Sequence, residues 1–230
     1  MTLQVVDLDI LKLNVDAIVN AANIDLIEGG GICGQIFEKS GRNNLKEACK
    51  KLSPIKPGQA VITDGFGLNQ KFIIHAVGPI YNEVYKEACQ KILKNAYKNT
   101  LELAKKNKIN SIAFPLISAG IYGYPEKEAF FIAKNTIDEF LKENEMDVYL
   151  STYKKDILSL IMGWFEFFIC FRYKYLCRKV TQNKLGVYMK IFKLIKNRWE
   201  KFLENLAKEN KKSFGNEKLD CCSMNKREHK

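Results

Sequence analysis

The stretch from Val15 to Gly34, V-D-A-I-V-N-A-A-N-I-D-L-I-E-G-G-G-I-C-G, constrains this chain more than any other. Ala17-Ile18-Val19 is a short apolar run of the kind that forms a strand buried on both faces. It breaks into two asparagines three residues apart, Asn20 and Asn23, which places amide side chains at a strand's carboxyl end. Gly29-Gly30-Gly31 and Gly34 follow, and Gln35-Ile36-Phe37-Glu38-Lys39 reads as the start of a helix. Glycine-rich backbone opening a helix suits phosphate: it can approach the ligand closely, and its amide N–H groups point outward at the positive end of the helix dipole. The spacing has no G-K-[ST] of a Walker loop and no G-x-G-x-x-G with a ribose carboxylate.

The remaining elements alternate. Helices are expected over Ile32–Gly41 and Asn44–Leu52, the second ended by Pro54 and Pro57. Gln59–Thr63 and Lys71–Val77 read as strands joined across the turn-rich Asp64–Asn69. His75 on the second strand, a lone imidazole in an apolar run, reads as a hydrogen-bonded core residue, and Cys49 and Cys89 as packing thiols. Tyr85–Lys106 carries apolar or small residues at 85, 88, 89, 92, 93, 96, 97, 100, 101 and 104, a helical stripe. Ser111–Ile117 is a buried strand that runs into a second glycine-containing loop, Ser118–Gly123. A helix over 126–143 behind Pro125 and a strand at Asp147–Thr152 complete the pattern. Such alternation implies an α/β fold with a largely parallel sheet, whose ligands sit outside the carboxyl ends of the strands. The loops leaving Asn20 and Ser118 would then grip a diphosphate from two sides.

Four motifs occur in order: N-A-A-N with G-G-G-x-x-G, Ala60-Val61-Ile62-Thr63, I-I-H-A-V-G-P at 73–79, and A-F-P-L-I-S-A-G-I-Y-G-Y-P at 113–125. Together they resemble the macrodomain family, a module that binds ADP-ribose, over residues 1–160. The resemblance implies a three-layer α/β/α macrodomain with a mixed, largely parallel central sheet, and neither cofactor nor metal. It implies that Asp9 accepts a hydrogen bond from the adenine amino group with the backbone of Ile10 beside it, and that Tyr153 packs near the adenine. It places Asn20 and Ala21 at the site, Asn23 on ribose hydroxyls, and the loops Gly30, Gly31, Ile32, Cys33, Gly34 and Ser118, Ala119, Gly120, Ile121, Tyr122 around the phosphates and distal ribose. Two departures stand out. Leu8 occupies a position where the family usually has glycine, and Cys33 stands where one hydrolytic branch carries an aspartate in G-G-G-V-D-G. A thiol is mostly neutral at pH 7, so it is no ready carboxylate base; packing and a nucleophilic role both stay open for it. Asn23 and Cys33 are thus the candidate catalytic residues, with Asp25 and Glu28 as further carboxylates in the loop. The implied activity is hydrolysis of ADP-ribosyl esters, either O-acetyl-ADP-ribose or mono-ADP-ribosylated protein, and the alternative is an ADP-ribose reader without turnover.

Charge separates the rest of the chain. Residues 1–153 hold 18 Lys+Arg and 18 Asp+Glu, whereas residues 154–230 hold 19 and 8, so the whole formal +11 lies in the last third. That shift coincides with the end of the resemblance and divides the chain into 1–160, a basic aromatic-rich helical extension at 161–210, and a polar, disordered tail at 211–230. Ile157–Phe171 is too short and interrupted for a membrane span. Tyr188, Phe192, Ile195, Trp199, Phe202 and Leu206 form a heptad-like stripe over 187–208, suited to docking or self-association. Nucleic acid or an anionic membrane surface is a further partner for the cations, without a named motif for either. Seven cysteines without metal spacing, together with an amino terminus unlike a signal peptide, read as a cytoplasmic protein.

Overall fold

The structure, a computed structural model, describes residues 3–153. Its elements run β1 (Leu3–Val6), β2 (Ala17–Ala22), α1 (Ile32–Ser40), α2 (Arg42–Leu52), β3 (Ala60–Asp64), β4 (Phe72–Val77), α3 (Lys86–Lys106), β5 (Ser111–Phe114), α4 (Glu126–Leu141) and β6 (Asp147–Ser151). The strands form one sheet in the order β1-β6-β5-β2-β4-β3. Every pairing is parallel except β3 with β4. The expected α/β class and mixed, largely parallel sheet are therefore found.

Period-two alternation along the central strands builds the three layers. Ala17 and Val19 of β2, with Ile74 and Ala76 of β4, face Leu93, Tyr97 and Leu101 of α3 and Phe130, Ala133 and Ile137 of α4. Ile18 of β2 and Ile73 and Val77 of β4 face Ile36 and Phe37 of α1 and Leu45 and Cys49 of α2. Both faces of β2 are covered, as its unbroken apolar run requires.

Several boundaries differ from the sequence expectation. β2 continues through both alanines to Ala22, so Asn20 lies inside the strand and only Asn23 follows it. β5 stops at Phe114 because Pro115 has no N–H to donate to a ladder. α2 begins at Arg42, joined to α1 through Gly41 in the left-handed region at φ 89°. Asn82 caps a 3-10 turn at Glu83–Tyr85 before α3, its Oδ1 accepting from the Val84 N–H at 2.9 Å. Tyr85 consequently faces solvent and leaves the helical stripe. Residues 154–160, the extension at 161–210 with its stripe at 187–208, and the tail at 211–230 lie outside the described residues. Among the described residues no helix is long and apolar enough to cross a membrane.

At the amino edge of the sheet, Asp16 ties three strands together. Its Oδ2 accepts from the N–H groups of Asn110 and Ser111 at 3.2 Å each and from Ser111 Oγ at 3.1 Å, and Lys71 Nζ lies 3.4 Å from Oδ1. Burial works against its charge, yet the hydrogen bonds from Ser111, Asn110 and Lys71 together hold the carboxyl below its ordinary value. Asp16→Ala should cost about 2–3 kcal/mol, since donors aimed at a charged acceptor lose their partner. Because the folded-state value is depressed, this stability is present above the unfolded value near 4 and disappears as pH falls through the folded one. Urea midpoints of the two proteins should therefore differ at pH 7 and draw together as pH falls below about 4.

Candidate functional site

A cleft of about 510 Å³ opens along the carboxyl ends of β6, β5, β2 and β4. One end is built by Asp9 and Ile10 after β1 and by Ser151, Thr152 and Tyr153 at the end of β6. Asp9 Oδ1 accepts from the Leu11 N–H at 3.0 Å, which caps a 3-10 turn at Ile10–Lys12 and fixes the carboxylate at the mouth. Leu8 is compatible with this turn: its carbonyl accepts from Ser151 Oγ at 2.5 Å.

The middle of the cleft lies between two loops. The first, residues 23–31, ends at Gly31 with φ 63° and ψ −134°, a conformation open to glycine alone. The N–H groups of the first turn of α1 have no intrahelical partner and open on this loop. Gly34 lets α1 approach closely, since a Cβ there would stand 2.7 Å from the Gly29 carbonyl oxygen. Asn23 clasps the same loop from beneath, its Nδ2 donating to the Ile27 carbonyl at 2.8 Å and its Oδ1 accepting from the Ile27 N–H at 3.0 Å.

The second loop, Ser118–Tyr122, is held from behind by α3. Tyr97 OH accepts from the Ile117 N–H at 2.9 Å and donates to the Pro115 carbonyl at 3.3 Å. Ser118 itself is in the left-handed region at φ 64°, with its hydroxyl buried and unpartnered. A Cβ on Gly78, at the end of β4, would fall 2.1 Å from that hydroxyl, so glycine is required there. Above the cleft the two loops nearly meet: Ile121 Cδ1 lies 3.1 Å from where a Cβ on Gly30 would stand. Burial, with Cys33 and Asp25 adding to it, raises the Tyr122 phenol, which therefore presents a neutral hydroxyl.

Of the residues anticipated from sequence, Asp9, Ile10, Ala21, Asn23, Gly30, Gly31, Ile32, Cys33, Ser118, Ala119, Gly120, Ile121, Tyr122 and Tyr153 all line this cleft. Asn20 and Gly34 do not. Gly34 supports the loop through its close approach to Gly29. Asn20 turns its Nδ2 into the sheet, toward His75 Nδ1 at 3.0 Å and Cys33 Sγ at 3.6 Å. An amide N–H can only donate, so Nδ1 of His75 is the acceptor and Nε2 carries the proton, donated to Thr63 Oγ1 at 3.0 Å. This buried imidazole is the core residue its apolar strand predicted. Gly29, Gln35, Gly78, Pro115 and Thr152 also line the cleft and were not singled out. The signal for Gly78 was its place at the end of a strand parallel to β2.

Cys33 is almost wholly buried, its Sγ 3.8 Å from the Ile27 carbonyl to which it donates. Burial pushes the thiol up, with nearby Glu28 adding and the Gly29 backbone and Asn20 amide opposing. The thiol stays protonated and packs under the loop. Of the other two carboxylates, Glu28 is engaged with Arg42 at 3.0 Å and Asp25 is exposed, and neither lines the cleft.

A mixed six-stranded α/β/α sandwich with two glycine loops over its carboxyl edge defines a nucleotide-diphosphate-binding class of module. The Macro domain family model matches residues 19–133, half of the chain, and the chain belongs to that family. It is 47% identical over 150 residues to a macro domain-containing protein of Methanosarcina mazei, covering 64% of this chain and 79% of that one. It is also 47% identical over 140 residues to the human ADP-ribose glycohydrolase MACROD2, covering 61% of this chain but only a third of that protein. With the O-acetyl-ADP-ribose deacetylase of Salmonella newport it shares 42% identity over 164 residues, 69% of this chain and 90% of the relative. Among solved structures, the Oceanobacillus iheyensis macrodomain with ADP superposes with a TM-score of 0.65 at 39% identity, covering 77% of this chain and 93% of that chain.

Proposed function

We propose that the cleft binds ADP-ribose and hydrolyses ADP-ribosyl esters, either the acetyl ester of ADP-ribose or the ester joining mono-ADP-ribose to a protein carboxylate. The observation that carries this reading is the placement of Asn23 in the cleft lining at the head of the first glycine loop, beside backbone shaped for a diphosphate. One relative, 90% of whose length this chain covers, is named an O-acetyl-ADP-ribose deacetylase, and another is named an ADP-ribose glycohydrolase. In this reading Asp9 and Tyr153 receive the adenine, α1 and the Ser118–Tyr122 loop receive the diphosphate, and the distal ribose lies over Asn23. A water held between a ligand phosphate oxygen and the Asn23 amide attacks the ester carbonyl or ribose C1″. Its proton passes by way of the phosphate to the departing oxygen as the bond to that oxygen breaks, releasing ADP-ribose and the free carboxylic acid. No protein base is required.

Calorimetric titration of ADP-ribose, with AMP as control and the same sample assayed on O-acetyl-ADP-ribose and on a mono-ADP-ribosylated protein, tests the reading. Binding with turnover supports it, and absence of both defeats it. The neutral, buried Cys33 thiol favours a second reading, a reader that binds without turnover. Cys33→Asp separates the two. If the ligand phosphate already serves as base, hydrolysis should change by less than about tenfold. A gain of about a hundredfold at unchanged ADP-ribose affinity would identify the natural protein as a reader.

A further inference from the structure

Exposed apolar side chains are gathered round the cleft. Nine large hydrophobics are exposed among the described residues, and only Leu52 on α2 and Phe66 in the β3–β4 turn lie away from the segments that follow β2, β4, β5 and β6. Single exposed hydrophobics are ordinary, whereas a gathering at the mouth of a site marks an interaction surface. Three of them, Ile80, Val84 and Tyr85, lie in the segment after β4, and Ile121 lies in the second loop; Val84 and Ile121 are each 83% exposed. Residues 80–85 follow Gly78, which lines the cleft, and are pinned to the second loop. The Tyr81 N–H donates to the Tyr122 carbonyl at 2.8 Å, and the rings of Tyr81 and Tyr124 stand 4.8 Å apart. This rim borders the β2–β4 side of the sheet, opposite the β1–β6 side that holds Asp9 and Tyr153.

Charge completes the description. Glu83 in the turn before α3, whose carboxylate accepts from the Tyr81 hydroxyl, Glu87 in the first turn of α3, and Glu126 and Glu128 in the first turn of α4 stand against two lysines, Lys86 and Lys127. Lys86 Nζ is held by Glu128 at 2.7 Å, which joins the starts of the two helices under the rim. Such a surface repels phosphate backbones and complements basic side chains.

We propose that this rim docks the polypeptide to which ADP-ribose is attached, gripping apolar residues that flank the modified side chain while the glutamates receive neighbouring lysines or arginines. The inference rests on the reading of the cleft given above, which sets the distal ribose over Asn23, just after β2 and so next to β4. It assigns the site to protein-linked ADP-ribose of a defined sequence class over small acyl esters.

The probes are free ADP-ribose and two peptides carrying ADP-ribose through an uncleavable amide, one with Leu and Lys flanks and one with Gly and Ser flanks. The wild type should bind the Leu/Lys peptide about tenfold more tightly than the other two, which should bind alike. In Val84→Asp/Tyr85→Asp the preference should vanish while free ADP-ribose binds as before, which also reports an intact fold. If the double variant loses free ADP-ribose binding, Val84→Ser alone should reduce the preference at unchanged ADP-ribose affinity. Equal affinity of the wild type for all three probes, a preference that survives the substitutions, or tighter binding of an ADP-ribosylated oligonucleotide would overturn the proposal and leave the cleft reading standing. A wild type that binds no free ADP-ribose would overturn both.

Discussion

Between pH 6.5 and 5 the protein should lose about 2 kcal/mol of stability through His75 alone. Burial pushes this imidazole down from 6.5 to about 4. The groups that touch it, Asn20, Thr63 and Cys49, are uncharged; the Cys49 thiol is itself raised to about 11, by burial and then by Cys33. Among the described residues no carboxylate is hydrogen-bonded to the ring to stabilise a proton on Nδ1, and protonation there would turn the acceptor of the Asn20 bond into a donor. The folded value is depressed, so the unfolded chain takes up the proton first. Stability is complete above pH 6.5 and declines as pH falls toward 4. His75→Gln removes the titrating group: whatever its overall cost, its urea midpoints should vary much less between pH 5 and 6.5 than those of the wild type. Parallel pH profiles for the two proteins would show that His75 does not control this window.

The second large effect is expected at Asn23. Its amide does two things at once, fixing the Ile27 peptide of the glycine loop and, in the proposed reaction, orienting the attacking water. Asn23→Ala should lower turnover of O-acetyl-ADP-ribose about a hundredfold, the usual scale for one well-placed polar group in an active site, while ADP-ribose affinity falls by less than tenfold. Asn23→Asp keeps an oxygen for the Ile27 N–H but loses the donor to its carbonyl and sets a negative charge against the diphosphate. It should therefore lose affinity as well as rate. Single-turnover hydrolysis and calorimetry on the two variants read these effects separately. Unchanged turnover in Asn23→Ala would remove the residue from the chemistry and leave it as a loop clasp.

Most of the cleft was legible because its chemistry is local. Gly31 must adopt φ 63° and Gly34 must admit the Gly29 carbonyl, and both demands are met within a few residues of chain, so they leave their mark as glycines. The alternating apolar positions of β2 and β4 likewise announced a sheet covered on both sides. Asn20 misled for a reason that is also physical. Its neighbour in sequence is the strand end, but its partner in space is His75, fifty-five residues away in the paired register of β4. Whether an asparagine near a strand end points into a cleft or into the sheet depends on where the strand stops. Here the alanines at 21 and 22 carry β2 one pleat further than its apolar run implied.

The chain's own order of residues was enough to specify an α/β fold with two glycine loops at strand ends, since these follow from periodicity and from the backbone freedom of glycine, while the likeness to macrodomains rested on four motifs in order. Three further properties were settled only by packing. Cys33 is a buried, neutral thiol, as its sequence position at a helix start does not reveal, because burial outweighs the hydrogen bonds from the Gly29 backbone and the Asn20 amide. His75 is a neutral hydrogen-bonded acceptor whose tautomer is set by Asn20 across the sheet. Tyr85 reads as the first residue of a helix's buried stripe, yet it and its neighbours Ile80 and Val84 face solvent. They are exposed because Asn82 caps a tight turn there and because the bond from Tyr81 to Tyr122 anchors that segment to the second loop. Burial and cross-strand partners are properties of the assembled sheet, and no local segment contains them.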